Sequence, residues 1–342
     1  LRQGYPDSAK KEFRDVRALA PDNERAINEL FAIEDQRKAY EEALSLADTG
    51  LRYFPASENF LFKKAAVLGS LNRPIEAYPV AAELVKKYPQ NEKGKVLADD
   101  LYLISRQNRI GVNYNYTFFD PSATRPWNMG SIFYMREEKY ASIGARISYA
   151  DRSVIGGRGY QFELEAYPKH RRGYSYINLA YSNSLIFPNF RFGYSLYQDL
   201  NKGWEGELAV RMLQAGGRDF YTLGGSIGRY VGKYWFSVRP FVTTHSGSFY
   251  ATGALNMRRY FEERDSYIYA VIGTGVSPDD RGRQFEFNSR INLSSYNAAV
   301  GIQQLLLRTH IAGVGISYNR QELVGGRKRN EFDVNLSWQI RF

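Results

Sequence analysis

The chain has 342 residues, a net charge of +10 and no cysteine, which excludes disulfides, thiolate metal sites and a cysteine nucleophile. Mean hydropathy is −0.47, and no apolar run approaches the ~18 residues that mark a membrane helix. The basic residues lie mostly after residue 100, dispersed along the chain rather than on a helical stripe, which argues against nucleic acid and for anionic headgroups or lipopolysaccharide phosphates as their counterpart.

Residues 1–106 carry a repeat. Pro21, Pro55 and Pro89 recur every 34 residues, as do Ala9, Ala43 and Ala77, and Phe13, Ala47 and Ala81 share the next position on the same helical face. Small residues where two helices cross, with a proline ending the second helix, are the tetratricopeptide signature. Gly4, Lys38 and Asn72 fall at the turns between paired helices, and Leu61 stands where the motif often has tryptophan. Glu92–Ser105 reads as a closing helix. Leu1 is not an initiator methionine and the first repeat lacks its opening helix, so a signal peptide and further residues are expected upstream. Such an array offers a concave surface for periplasmic or outer-membrane proteins, or serves as a spacer.

Residues 107–342 read differently. Fourteen segments, from Arg109–Phe119 to Arg329–Phe342, have the period of two that belongs to strands. In the first, Ile110, Val112, Tyr114, Tyr116 and Phe118 face one way and Gly111, Asn113, Asn115 and Thr117 the other. In the last, Phe332, Val334, Leu336, Trp338, Ile340 and Phe342 alternate with polar residues. Six apolar positions on one face, ending in an aromatic, suit a bilayer-spanning closing strand, with Phe332, Trp338 and Phe342 as its membrane-facing marks. Tyrosine (27) and phenylalanine (21) are abundant, as interfacial girdles require. The fold class is therefore α plus membrane all-β: a short tetratricopeptide array, then a closed antiparallel transmembrane barrel of about fourteen strands.

Barrels of this kind have short periplasmic turns and longer outer loops. The short Glu138–Tyr140, Asn201–Gly203 and Val231–Lys233 and the longer Pro121–Pro126, Arg152–Arg158 and Ser277–Ser294 follow that rule. Thr244–Gly247 and Pro168–Arg172 are the exceptions. Trp204, Trp235 and Trp338 are expected at the periplasmic rim and Trp127 at the outer rim.

With apolar faces toward lipid, the lumen is expected to receive Arg136, Arg146, Arg191, Arg211, Arg239, Arg258 and Arg341, together with Glu163, Glu165, Glu205, Glu207, Glu331 and Asp333. Two readings follow. Arginines could pass an anionic chain along weak sites, or the near-balanced charges could neutralise one another inside a narrow barrel, which the balance of sign favours. His245 and Ser246 fall in an outer loop, but no base and orienting acid accompany them at a catalytic spacing. His170 and His310 are isolated, so no metal cluster is expected. Gly224, Gly225 and Gly228 lack a following Lys-Ser/Thr and read as small lumen residues under a bulky neighbour. No cofactor and no enzymatic activity are expected.

The order of helical repeats followed by Tyr- and Gly-rich strands, ending in Asp333–Phe342 (DVNLSWQIRF), resembles the YaiO family of outer-membrane barrels. The resemblance implies an outer-membrane protein of a Gram-negative bacterium, with its repeats in the periplasm, and export of an exopolysaccharide, since the layout is similar to that of polysaccharide secretion porins. The alternative is a plugged barrel that anchors its repeat unit and an assembly at the membrane.

Overall fold

The computed structural model describes residues 6–120, 125–152, 157–263, 265–281, 294–323 and 326–342. The chain divides into two compact units, Leu1–Arg106 and Gln107–Phe342.

The first unit is six helices: α1 Pro6–Leu19, α2 Glu24–Gln36, α3 Tyr40–Tyr53, α4 Glu58–Ser70, α5 Pro74–Lys87 and α6 Glu92–Ser105. The 34-residue period has a physical basis at each joint. Asn23, Ser57 and Asn91, each two residues after a repeat proline, cap α2, α4 and α6 by accepting the amide of Ala26, Phe60 or Gly94, a bond that contributes about 1 kcal/mol per helix. Lys38 and Asn72 turn the chain between paired helices with φ of 59° and 55°; Gly4 lies outside the described residues. Ala43, Ala47, Ala77 and Ala81 are fully buried at the crossings, where a larger side chain would push the helices apart. Gly50 does the same for Phe60: a Cβ there would lie 2.5 Å from the ring. Lys63 sits 5.0 Å from the Phe31 ring, and desolvation lowers its pKa from the ordinary lysine value. No described helix is long and apolar enough to cross a membrane.

The second unit is a closed barrel. Its strands are β1 Asn108–Asp120, β2 Trp127–Glu137, β3 Ala141–Arg152, β4 Gly157–His170, β5 Gly173–Tyr181, β6 Phe190–Asn201 and β7 Trp204–Ala215, then β8 Arg218–Val231, β9 Tyr234–His245, β10 Ser248–Tyr260, β11 Tyr267–Thr274, β12 Ser295–Leu306, β13 His310–Glu322 and β14 Lys328–Arg341. Each pairs antiparallel with its sequence neighbour, and β1 pairs with β14 from Arg109↔Arg341 to Asp120↔Asn330. Closure leaves no unpaired edge, as a lipid-embedded sheet requires.

The alternation sets the two faces. Ile110, Val112, Tyr114, Tyr116 and Phe118 are exposed on the outside, in register with exposed Leu336, Trp338, Ile132 and Tyr134. Thr117, Glu163, Glu207 and Asp333 are buried on the inside. In water this inversion would leave a wide apolar surface exposed; in a bilayer it is the stable arrangement.

Gln107 and Phe342 lie at one end of the barrel, called here the terminal end. Its connections include residues 171–172, 202–203 and 232–233. Pro168–Arg172 is thus not a long connection, because β4 continues through Pro168 to His170 and leaves a tight turn. The opposite, loop end is where β5 joins β6 through residues 182–189 and where β11 ends and β12 begins. It also holds tight turns at Gly216–Gly217 and Ser246–Gly247, all four residues with positive φ, as twisted two-residue hairpins require. Residues 121–124 and 153–156, and most of Ser277–Ser294, lie outside the described residues.

Candidate functional site in the barrel lumen

Most of the charged residues expected inside do line the inner face, and at mid-height most of them gather on one side. At mid-height on β4, β6, β7 and β9, Glu163 pairs with Arg191 and stands 4.0 Å from Arg146. Glu207 receives Arg239 at 2.6 Å and lies 3.8 Å from Arg211. Arg239 also donates to the Tyr197 hydroxyl at 2.8 Å, and Arg211 to Ser195 Oγ at 2.8 Å. Toward the terminal end, Glu205 accepts from Trp235 Nε1 at 2.7 Å, and Arg258 stacks between the rings of Trp235 and Tyr267 at 5.1 and 5.0 Å. Arg341 bonds Asp265 at 2.9 Å and, with Arg109, approaches Glu137. Toward the loop end, Asp333 accepts from Thr117 and Ser317 at 2.6 Å each, and Glu331 holds Arg329 at 2.6 Å.

Arg136 is not in the lumen. It shares the parity of Ile132 and Tyr134 on the outer face, and its half-exposed side chain pairs with Glu138 beside the turn. A long cationic side chain can stay on that face near a strand end because its head reaches the polar interface. Two tryptophans are corrected in the other sense. Trp127 is 4% exposed and packs inside against Phe119 at 4.7 Å, and Trp235 also points inward. Only Trp204 and Trp338 sit on the lipid face, with Phe332 and Phe342. Gly224 and Gly228 lie beneath Phe241 and Trp235, whereas Gly225 is on the outer face, tight against the β7 backbone.

His245, at the end of β9, stacks on Phe220 at 4.4 Å. Its Nδ1 is 3.0 Å from the Asp219 carbonyl and its Nε2 3.1 Å from Ser246 Oγ. A neutral carbonyl orients the ring but supplies no charge to stabilise an imidazolium, unlike a catalytic carboxylate. His310 packs on Trp338 at 5.4 Å.

Alternation alone does not reveal what residues 275–281 do. After β11 this stretch turns into the lumen instead of leaving it. Val276 roots it in an apolar cluster with Leu213, Ala215 and Phe220. Asp279 bonds Arg211 at 2.8 Å and lies 3.6 Å from Arg239. Arg281 reaches across to Glu163, with Nε–Oε1 at 3.1 Å, and to Glu165. Residues far apart in sequence thus form one latch that fills the β4–β9 side. Its signal in the sequence was a charged run, Asp279-Asp280-Arg281, in a loop facing carboxylates and guanidinia that needed partners.

Among the described residues, the other side is mostly neutral at mid-height, with Arg146 on β3 and Asp333, in register with Ser317, as its charged members. β1, β2, β3, β13 and β14 present Asn113, Asn115, Ser131, Ser148, Ser317, Asn335 and Ser337 inward, and Asn115 donates to Asn335 at 2.7 Å. Two cavities lie along this wall, about 380 Å³ toward the loop end and about 500 Å³ toward the terminal end. They share Asn115, Met129, Arg281 and Asn335, so they meet where Arg281 faces the amide pair.

Residues 107–280 match the YaiO membrane beta barrel domain. The chain belongs to that family. Among solved structures, this YaiO-family chain is similar to the outer membrane protein Omp33 of Acinetobacter baumannii (10% identity, 69% of this chain, 99% of that one, TM-score 0.43). It is also similar to the CymD monoaromatic hydrocarbon channel (6%, 75%, 94%, TM-score 0.46) and the KdgM porin (8%, 68%, 99%, TM-score 0.39). A curated relative is the protein O-mannosyl-transferase Tmtc3 of Drosophila melanogaster, 22% identical over 133 residues, which are 38% of this chain and 14% of that protein.

Proposed function

We propose that this outer-membrane barrel exports a polysaccharide, with its tetratricopeptide-like unit in the periplasm recruiting partner proteins and residues 275–281 acting as the gate. The observation that carries the reading is the pair of joined cavities along the amide- and hydroxyl-rich wall of β1, β2, β13 and β14. A chain moving through a lumen needs hydrogen bonds that are individually weak and exchangeable, so that entry does not become trapping. Neutral amides and hydroxyls, each worth about 0.5–1.5 kcal/mol net per bond, meet that need better than desolvated ion pairs.

The ion pairs that hold the latch favour a second reading, a closed barrel that anchors its helical unit and an assembly at the membrane. Single-channel recording on the full chain separates the two. For export, deleting residues 277–281 opens a steady conductance; a barrel that stays silent with and without those residues sinks export and leaves the anchor.

A further inference from the structure

The geometry points to a sugar-binding subsite on Tyr269, where the exported chain stacks one pyranose ring; this deepens the export reading and rests on it. Tyr269 points inward from β11 opposite Gly301 on β12, and Gly301 pairs in turn with Gly315 on β13. A Cβ built on Gly301 would lie 2.6 Å from Cε1, Cζ and the hydroxyl oxygen of Tyr269 alike. Equal distances to three atoms at the tip of the ring place that Cβ over the ring face, not beside its edge. A Cβ on Gly315 would collide with the same hydroxyl. The two glycines thus let the tyrosine lie flat on the wall. One ring face rests on backbone, and the other borders the terminal-end cavity, which Tyr269 lines.

Other inward rings also lie over cross-strand glycines, Phe133 on Gly111 and Phe241 on Gly224. Those two carry a guanidinium, Arg146 at 4.8 Å and Arg239 at 5.8 Å, and belong to the packing of the wall. Among the described residues no cation stacks on Tyr269. Tyr267 meets it tilted at 57° with centroids 6.4 Å apart, which leaves the cavity-side face open. A pyranose has C–H groups on one face and hydroxyls around its rim. The electron-rich face of the tyrosine suits the first. Asn256, Gln303, Asn335 and Ser337 line the same cavity and suit the second, since each both donates and accepts, as sugar hydroxyls do. A cavity of about 500 Å³ is the size that holds a small ligand on an aromatic surface with a few polar groups. β11 runs on from Tyr269 to Thr274 and then into the latch, so one strand carries both the subsite and the gate.

The test is current block in planar bilayers. The full chain carries Arg281→Ala, with Asp279→Ala as a second way to release the latch. Maltohexaose is the probe, and polyethylene glycol of equal mass is the control without a pyranose face. Maltohexaose is expected to dwell about tenfold longer per block than the glycol. Tyr269→Ala and Tyr269→Leu should each shorten that dwell to the glycol's, and Tyr269→Phe should keep it. Phe133→Leu removes a ring that Arg146 already covers and should leave the dwell unchanged. If maltohexaose dwells no longer than the glycol, or its dwell survives loss of the Tyr269 ring, the subsite is overturned while export stands on the conductance. If neither latch variant conducts, although both run as folded heat-modifiable barrels, export falls and the subsite falls with it.

Discussion

Replacing Arg281 by alanine should unlatch the lumen. Arg281 bridges Glu163 and Glu165, whose side chains are 1% and 6% exposed. Removing one partner of a buried pair costs about 3–5 kcal/mol because the remaining charge is stranded. Two features reduce that figure here. Glu163 keeps Arg191 and Glu165 keeps the Tyr167 hydroxyl at 3.1 Å, and Arg281 is itself 36% exposed on its side chain, so water screens part of the interaction. We take about 2 kcal/mol as the loss to the closed state, a shift of roughly 30-fold in the open-to-closed ratio. Arg281→Lys keeps the charge but not the two-pronged geometry, and should give a smaller rise. Asp279→Ala should also open the lumen, by less, because Arg239 retains Glu207 at 2.6 Å. Single-channel recording reads the ratio from dwell times. If both alanine variants keep the parent's open probability while migrating as folded barrels, the latch does not gate the lumen.

Other expectations concern the scaffold. Leu336→Arg puts a guanidinium on the lipid face midway along β14, where Leu336 is 49% exposed; it should lower the stability of the barrel in vesicles by about 2–4 kcal/mol, measured by reversible urea unfolding, while Ser337→Arg, pointing inward, should cost less. Gly50→Ala drives a methyl into the Phe60 ring and should destabilise the helical unit by about 1–3 kcal/mol, seen as a lower midpoint at the helical circular-dichroism band. In single-tryptophan variants, brominated lipid should quench Trp204 and Trp338 but spare Trp127 and Trp235; quenching of all four alike would contradict the inward placement.

Much of this architecture could be read from the residues because it rests on local periodicity. The 34-residue spacing reflects caps at Asn23, Ser57 and Asn91 and small crossings at Ala43 and Ala77, all governed by nearby atoms. The strands follow from alternation, which also placed Glu163, Glu207 and Asp333 inward. Arg136 faces outward because parity overrides charge near a strand end: Ile132 and Tyr134 on the same strand fix its face. Trp127 and Trp235 depart from the girdle expectation because an indole serves a lumen as well as an interface: Glu205 takes the N–H of Trp235 and Phe119 packs on Trp127. The latch was hidden because its bonds join Arg281 to Glu163 and Asp279 to Arg211, and no sequence period records which loop turns inward. The amide- and hydroxyl-rich wall is half legible in Asn113, Asn115 and Thr117. Its continuation required the register of β1 against β14, which sets Asn115 opposite Asn335.

The central claim is that the passage follows the β1–β14 wall, beside the latch and not through the charged side. The cysteine-free sequence allows this to be measured directly with single introduced thiols and charged methanethiosulfonate reagents during current recording. Ser337→Cys on the wall should react and reduce the current, whereas Ala209→Cys, on the charged side between Glu207 and Arg211 and 2% exposed, should stay inert. Reaction and block at position 209 with none at 337 would place the passage on the opposite side and contradict the account.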